Sequence, residues 1–341
     1  MPGPAKIISK TAEDAAAFAR PCRLFPTARS AMKALLAAMA FGPDEQILLP
    51  AYVGWSPKEG SGVFDPIAEL GLAYEFYRVD GQLHIDLNDL EGRLRAGCVK
   101  ALLLVHYFGY VDPSYAECVR LARRHGVVVI EDEAHALFTD WVGGACGRLG
   151  DACVYSLHKM LPMPGGMLTV SAQHADLLER IPAGANDAPS PWSYDFCEIA
   201  RRRRQNARRL AALLTPLADE LTLLRESPSA GETPQTLPLL VRRMSRDKLY
   251  FALNEAGFGA VSLYHTLIPQ IRSEAFPDSH RLAGCILNLP VHQDVEPEQL
   301  DALSEELQRL VHGHVGYRPH FIMPQQSSVW GHRHGYRPTS R

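Results

Sequence analysis

No two cysteines in this 341-residue chain are spaced as CxxC, and the seven present (Cys22, Cys98, Cys118, Cys146, Cys153, Cys197 and Cys285) are scattered and odd in number. That pattern argues against a disulfide framework and against a zinc site, and it implies reduced thiols in a cytoplasmic protein. No apolar run approaches the roughly 20 residues of a membrane span. Met1 to Pro21 is Ala-rich with acidic residues, not a basic segment followed by an apolar core. A soluble, unexported protein is expected. GxGxxG and Walker A sequences are both missing, which argues against dinucleotide and nucleoside triphosphate binding. A formal net charge of -3 carries no polyanion signature, so nucleic acid is not an expected partner. Lysine is scarce, with 7 against 28 arginines.

What is present is ordinary for a globular protein: 46% hydrophobic and 21% charged residues. The length suggests one large domain and a smaller one. From about residue 27 to 170, amphipathic helical stretches alternate with short, nearly continuous β-rich runs, as in βα units around a parallel sheet buried on both faces. The runs are Gln46 to Pro50, Tyr74 to Val79, Val99 to Val105, Val127 to Glu131, Ala152 to Ser156 and Met167 to Ser171. Asp112 to His125 is a helix between two of them, with Pro113 in its first turn and Gly126 as its stop. Pro182 to Pro191 is Pro/Ala/Asn/Asp-rich and reads as a linker. The expected division is therefore a large domain over 1–190, a small α+β domain over 191–312 and a polar tail over 313–341. In the second unit the spacing predicts helices over Cys197 to Leu214, Asp247 to Ala256 and Glu296 to His312, and strands over Thr236 to Arg242 and Ile286 to Pro290. The tail, with His314, His320, His332 and His334, reads as a mobile segment in preference to a metal site.

One lysine stands apart. Lys33 and Lys100 read as mid-helix and strand-start positions, whereas Lys159 follows the apolar strand Ala152 to Ser156 and lies among Leu157, Met160 and Leu161, just before the turn Pro164-Gly165-Gly166. Burial disfavours the ammonium form, and a neutral amine attacks a carbonyl to form a Schiff base. This is where an aldehyde cofactor, pyridoxal 5'-phosphate (PLP), could be held. Such a cofactor asks for three further things. An acid must keep the pyridine nitrogen protonated, and Asp132 ends the strand Val127 to Glu131, at the carboxyl edge where open α/β sheets bind ligands. Taken alone, Asp132 is equally a strand-end helix cap; His135 three residues on, within reach of the cofactor face, shifts that balance. An anion site for the phosphate is offered by Pro26-Thr27-Ala28-Arg29-Ser30 ahead of the helix Ala31 to Phe41, with hydroxyls of Ser30, Ser156 and Thr27. Thr27 by itself reads more simply as a helix cap. An aromatic ring should face the pyridine, and Trp55 or Tyr52 in the loop after Pro50 would lie at the same edge.

These segments together resemble the DegT/StrS family of PLP-dependent aminotransferases, many of which act on nucleotide-linked keto sugars. The resemblance runs from about Leu24 to Val311. It rests on Thr27-Ala28-Arg29-Ser30-Ala31, on Asp44 to Tyr52, on Val105-His106-Tyr107-Phe108-Gly109 and on Val129 to Ala136. Gly147-Arg148-Leu149-Gly150-Asp151 leads into the lysine segment, and Ile286 to His292 completes the series. The resemblance implies the PLP-dependent transferase fold type I: a mostly parallel central sheet between helices, with a smaller C-terminal α+β domain. It also implies a homodimer, Lys159 as the residue bonded to the cofactor, Asp132 on the ring nitrogen, His135 beside the ring hydroxyl, Ser156 on the phosphate, and Arg29 with Ser30 in the phosphate turn. Three departures mark a divergent branch. Ser156 and Lys159 are three apart where the family has five. Gly54 stands at the usual aromatic position, with Trp55 beside it. The segment between Ala172 and Asn206, which in the family reaches into the neighbouring subunit, is abbreviated.

The expected activity is transamination from an amino-acid donor, glutamate by family analogy, to a keto group such as that of a nucleotide-linked keto sugar. Lys159, already at the reacting carbon, would move the proton. Tyr107, Lys58, Tyr264 and His265 are candidates for touching the acceptor, each also open to a purely structural reading. A PLP-dependent sugar dehydratase is an alternative, because some relatives that eliminate water carry histidine at the lysine position and His158 adjoins Lys159. A non-catalytic regulatory protein retaining the fold is another, although such a scaffold has no need of an acid and an amine at two strand ends.

Overall fold

The computed structural model describes residues 20–182, 190–225 and 227–313. Most of Met1 to Pro21, most of the linker and the histidines of the tail lie outside the described residues.

Seven strands form the main sheet: β1 (Cys22–Phe25), β2 (Gln46–Pro50), β3 (Ala73–Tyr77), β4 (Val99–Val105), β5 (Val128–Asp132), β6 (Ala152–Ser156) and β7 (Gly166–Val170), in spatial order β1-β7-β6-β5-β4-β2-β3. The five from β2 to β6 pair in parallel. The sheet is mostly parallel, as expected; the exception is β7, which is antiparallel to both β6 and β1. Chain length is the reason: a parallel crossover takes about a dozen residues or more, and only Leu157 to Gly165 separate β6 from β7. β1 was not foreseen, because four residues including an arginine carry no period.

Helices α1 (Ala28–Ala38), α2 (Phe64–Glu69), α3 (Leu87–Arg95), α4 (Tyr115–Arg124), α5 (Leu137–Trp141), α6 (Leu157–Met160) and α7 (Ala175–Arg180) connect and cover these strands. α1 begins three residues earlier than its apolar period suggests. Thr27 accepts from the Ser30 N–H while the Ser30 hydroxyl engages the Thr27 N–H, a reciprocal cap that fixes the start. α4 begins at Tyr115, after a turn in which Asp112 receives the N–H groups of Ser114 and Tyr115, so Pro113 precedes the helix and does not lie in its first turn. Gly126, at φ +70, ends it as expected.

Beyond residue 190 come α8 (Phe196–Leu213), α9 (Arg246–Glu255), α10 (Pro277–Cys285) and α11 (Pro297–His312), with β8 (Leu221–Leu223), β9 (Thr236–Val241) and β10 (Ile286–Pro290) in a separate antiparallel sheet ordered β10-β9-β8. Leu210, Leu237, Leu239, Leu253, Leu287, Leu300 and Leu307 form its own core. The main core is built on both faces of the large sheet from Leu35, Ile47, Leu103, Ile130 and Leu168, and it also receives Leu267, Ile268 and Ile271 from the segment between α9 and α10. That segment is thereby fixed against the large sheet.

One glycine sets the seat of α1. A Cβ on Gly166 would lie 2.3 Å from the Ala28 nitrogen and 2.4 Å from the Thr27 carbonyl carbon, so β7 and the amino end of α1 touch backbone to backbone. Gly166→Ala should lower the unfolding free energy by about 1–3 kcal/mol. Gly92→Ala, in exposed α3 with nothing within 4 Å of the new methyl, should raise it by about 0.5–1 kcal/mol. Urea titration of both variants checks the pair.

Candidate active site

Parallel pairing brings the carboxyl ends of β2, β4, β5 and β6 to one edge of the sheet. The loop 50–56, Tyr107-Phe108-Gly109, Asp132 to His135 and Ser156 to Lys159 therefore meet there although they are far apart in sequence. Asp132 is the last residue of β5 and Lys159 lies in the one-turn helix α6 directly after β6, so neighbouring strands deliver the acid and the amine.

His135 links them. Its Nδ1 accepts the Phe108 backbone N–H at 3.2 Å, and its Nε2 lies 3.1 Å from Lys159 Nζ. A neutral imidazole that accepts at Nδ1 carries its hydrogen on Nε2. That hydrogen points at the lysine nitrogen, which can accept it only as the free amine. Electrostatics agree with the geometry. Burial pushes the Lys159 pKa down, partly opposed by the nearby Asp132 carboxylate. Burial, with the positive charges of Lys159 and His158, holds His135 well below its usual range. Asp132 is raised by burial, against the pull of Lys159 and of the Ala134 N–H it accepts at 2.9 Å. Phe108 sits at φ +59, a strained setting for a phenylalanine; the Gln235 N–H, donating to its carbonyl at 2.8 Å, helps to pin it.

The other candidates fall out differently. Ser156 is buried, with its hydroxyl 3.2 Å from His158 Nδ1, and it pairs in register with Gly166, which touches the amino end of α1. Ser30 and Thr27 spend their hydroxyls on the cap. The Arg29 guanidinium turns to the Glu59 carbonyl and to Asp65. Trp55 is 39% exposed and forms no aromatic pair among the described residues. The Tyr264 ring instead lies over Gly54, stacked on Tyr52 and edge-on to Tyr107, Phe108 and His135. Tyr107 gives its hydroxyl to the Tyr52 carbonyl. His265 is exposed beside the Ser262 carbonyl, and Lys58 is exposed in the turn Ser56–Gly60.

Beneath Asp132 lies a polar layer that motif reading passed over. Glu131 is fully buried and accepts from Tyr115 Oη and the Gly150 N–H at 2.7 Å and from the Gly147 N–H at 2.9 Å, with His106 Nε2 at 2.7 Å. Burial raises its pKa, but bonds from His106, Tyr115 and Gly147 outweigh burial and leave it lowered. Asp140 pairs with Arg20 and Tyr155, each at 2.5 Å. Glu133 is fully buried and, among the described residues, neither carboxylate oxygen has a hydrogen-bond partner; burial, Asp140 and Glu131 push its pKa well up. Alternation was the available signal, since Glu131 and Glu133 flank Asp132 and so face the opposite side of the strand. A second omission is Arg203. It is buried in α8, lowered to about 10 by burial, and reaches the Met160 carbonyl at the end of α6 and the Gln235 carbonyl, so a cation ties the lysine turn to the second sheet.

The donor set fits PLP. A buried carboxylate, an imidazole and an amine biased to its neutral form converge at one edge. The backbone of α1 at Ala28 comes close to residue 166, the register partner of Ser156, only because that residue has no side chain. Asp132, His135 and Lys159 would hold the ring and the aldehyde, and Ser156 with the first N–H groups of α1 the phosphate.

Residues 25–178 match the DegT/DnrJ/EryC1/StrS aminotransferase family. The chain is 24% identical over 306 residues to a pleiotropic regulatory protein of Geobacillus stearothermophilus, covering 80% of each. It is 23% identical over 315 residues to the UDP-N-acetyl-3-dehydro-alpha-D-glucosamine 3-aminotransferase of Acidithiobacillus ferrooxidans, covering 83% of this chain and 82% of that one. Among solved structures, Spr1654 of Streptococcus pneumoniae in its PLP form superposes with a TM-score of 0.67 at 16% identity, covering 84% of this chain and 86% of its own.

The orphaned carboxyl makes a sign-specific prediction. The folded-state pKa of Glu133 is raised, so the folded protein retains a proton that the unfolded chain releases above about pH 4.3. Its stabilising contribution is present below that pH and is lost as pH rises towards the folded value, at up to about 1.4 kcal/mol per pH unit. Glu133→Gln, neutral throughout, should remove this part of the decline. Denaturant midpoints of both proteins between pH 4.5 and 9 test it, and parallel profiles would show that Glu133 is ionised in the native state.

Proposed function

We propose that the chain is a distant member of the DegT/DnrJ/EryC1/StrS aminotransferase family, which its residues 25–178 match, and that it transfers an amino group from an amino-acid donor, glutamate by family analogy, to the keto group of a small molecule, namely a nucleotide-linked keto sugar. The observation that carries this reading is the part-buried contact between Lys159 Nζ and His135 Nε2, one strand away from Asp132. Members of the family use PLP, and the acceptor class follows the aminotransferase of Acidithiobacillus ferrooxidans named above. When bound, PLP supplies an electrophilic carbonyl and an electron sink.

The chain's own groups have distinct tasks. Asp132 would keep a proton on the pyridine nitrogen, and its burial would strengthen that pairing by excluding water. His135 orients the lysine and holds its amine neutral. Lys159 Nζ, beside the atoms that would react, would take up and hold the proton removed from the substrate carbon. Ser156 and the amino end of α1 would hold the phosphate. A homodimer is part of this reading, as the family resemblance implies.

Elimination of water is the less favoured course, because the chain keeps an inward-facing amine and His158 is exposed. A purely regulatory role, suggested by the name of the Geobacillus relative, leaves the acid, the imidazole and the amine without a task.

Purified full-length protein mixed with PLP should show the visible absorption of a lysine-bound cofactor, and L-glutamate should bleach it towards the near ultraviolet. Lys159→Ala should abolish the visible band and cut turnover by at least about 10²-fold, the lower end of what a positioned acid–base group contributes. A band insensitive to glutamate would move another donor or elimination ahead; an active Lys159→Ala enzyme would refute the assignment.

A further inference from the structure

We propose that the aromatic face against the cofactor ring is supplied by Tyr264, reaching over Gly54 from the segment between α9 and α10, and not by the 50–56 loop. The inference rests on the PLP reading above. A ring of this kind needs a flat partner on its open side, and the loop after β2 leaves no ring free for it: Tyr52 is fully buried with the Tyr264 ring stacked on it, residue 54 is glycine, and Trp55 next to it is 39% exposed. The space beside Gly54 is nevertheless filled. A Cβ there would lie 2.7 Å from Tyr264 Cδ1 and 3.3 Å from Cγ and Cε1, so an aromatic side chain growing from position 54 would have to displace the tyrosine. Glycine at 54 and tyrosine at 264 therefore form one complementary pair.

The ring is held there deliberately. Its centroid lies 5.5 Å from Tyr52 at an interplanar angle of 29°, and it meets Tyr107, Phe108 and His135 edge-on at 5.3, 5.8 and 6.0 Å. Tyr264 adopts φ +58, a left-handed setting that disfavours a bulky residue. Pairings on both sides impose it: the Trp55 N–H donates to the Thr266 carbonyl, the Ile268 N–H to the Val53 carbonyl, and the Leu263 N–H to Asn288 Oδ1. Burial and the charge of Asp132 push the phenol pKa up, so the ring is neutral and close to the acid that would pair with the pyridine nitrogen. An electron-rich neutral phenol facing a cationic ring is a favourable arrangement.

The test uses the full chain freed of cofactor, with PLP affinity read from quenching of intrinsic fluorescence and the Tm of the cofactor-free protein as a folding control. Tyr264→Leu, which keeps apolar volume but loses the π face, should weaken PLP binding on the order of 10-fold. Tyr264→Phe should bind as wild type does. The exchange Gly54→Phe with Tyr264→Ala, which moves the ring to the other side of the pair, should recover most of the loss and carries the test if Tyr264→Leu does not fold. Unchanged or tighter binding by folded Tyr264→Leu would show that the tyrosine fills the cofactor's own space, and overturns the proposal. So does an exchange variant that folds yet recovers nothing. Wild-type protein that binds no PLP would sink the cofactor reading itself, an outcome distinct from a wild type that binds while Tyr264→Leu is unaffected.

Discussion

The hydrogen-bond chain from the Phe108 N–H through His135 to Lys159 is the constraint on which the site depends. Because Nδ1 is taken by a backbone donor, the histidine's hydrogen is committed to Nε2, and the lysine meets it as an acceptor. A charged ammonium at the same place would set N–H against N–H. The geometry thus favours the neutral amine, and burial acts in the same direction on both groups. The cost is local strain at Phe108, sustained by β9 and the segment before it through Gln235.

Further hydrogen bonds tie the second sheet's side of the molecule to the site. Gln235, which precedes β9, holds the Phe108 carbonyl, and Arg203 in α8 holds the Met160 carbonyl at the end of the lysine turn. Both contacts come from beyond residue 190 and end on backbone that positions His135 or Lys159. The segment carrying Tyr264 adds a third tie, closing over the edge of the large sheet at Gly54.

The polar layer under β5 has a different character. Glu131 is satisfied on all sides, and the glycines at 147 and 150 let the backbone come close enough to donate to it. Glu133, two residues on and on the same side of the strand, has no such partners. One strand end therefore carries three carboxyls with separate states: Glu131 stabilised as an anion, Asp132 balanced between burial and the lysine, and Glu133 driven towards its neutral form. Environment, not residue type, assigns them.

Much of the architecture was legible in the chain. Continuous apolar runs named the strands β2, β4, β6 and β10 to the residue, and helical spacing with capping residues named α8, α9 and α11 to within one residue at either end, because burial on both faces and amphipathic packing leave strong periods. The lysine after a strand, the acid at a strand end and the histidine three residues on were also visible, since each lies within a recognisable local pattern. The antiparallel β7, the short β1, the capping of Ser30 against Thr27 and the turning away of Arg29 were not, because connection length and reciprocal bonds decide them. Nor could sequence place Tyr264 over Gly54, about 200 residues away by the numbering of the chain, or show that Trp55 is left exposed. The sequence by itself determined which elements form and which chemistry-bearing residues sit at their ends, because those follow from local period and propensity. The tertiary structure alone decided which of those residues meet, which hydrogen each carries and which ring covers the site, because these depend on contacts between segments that no local pattern encodes.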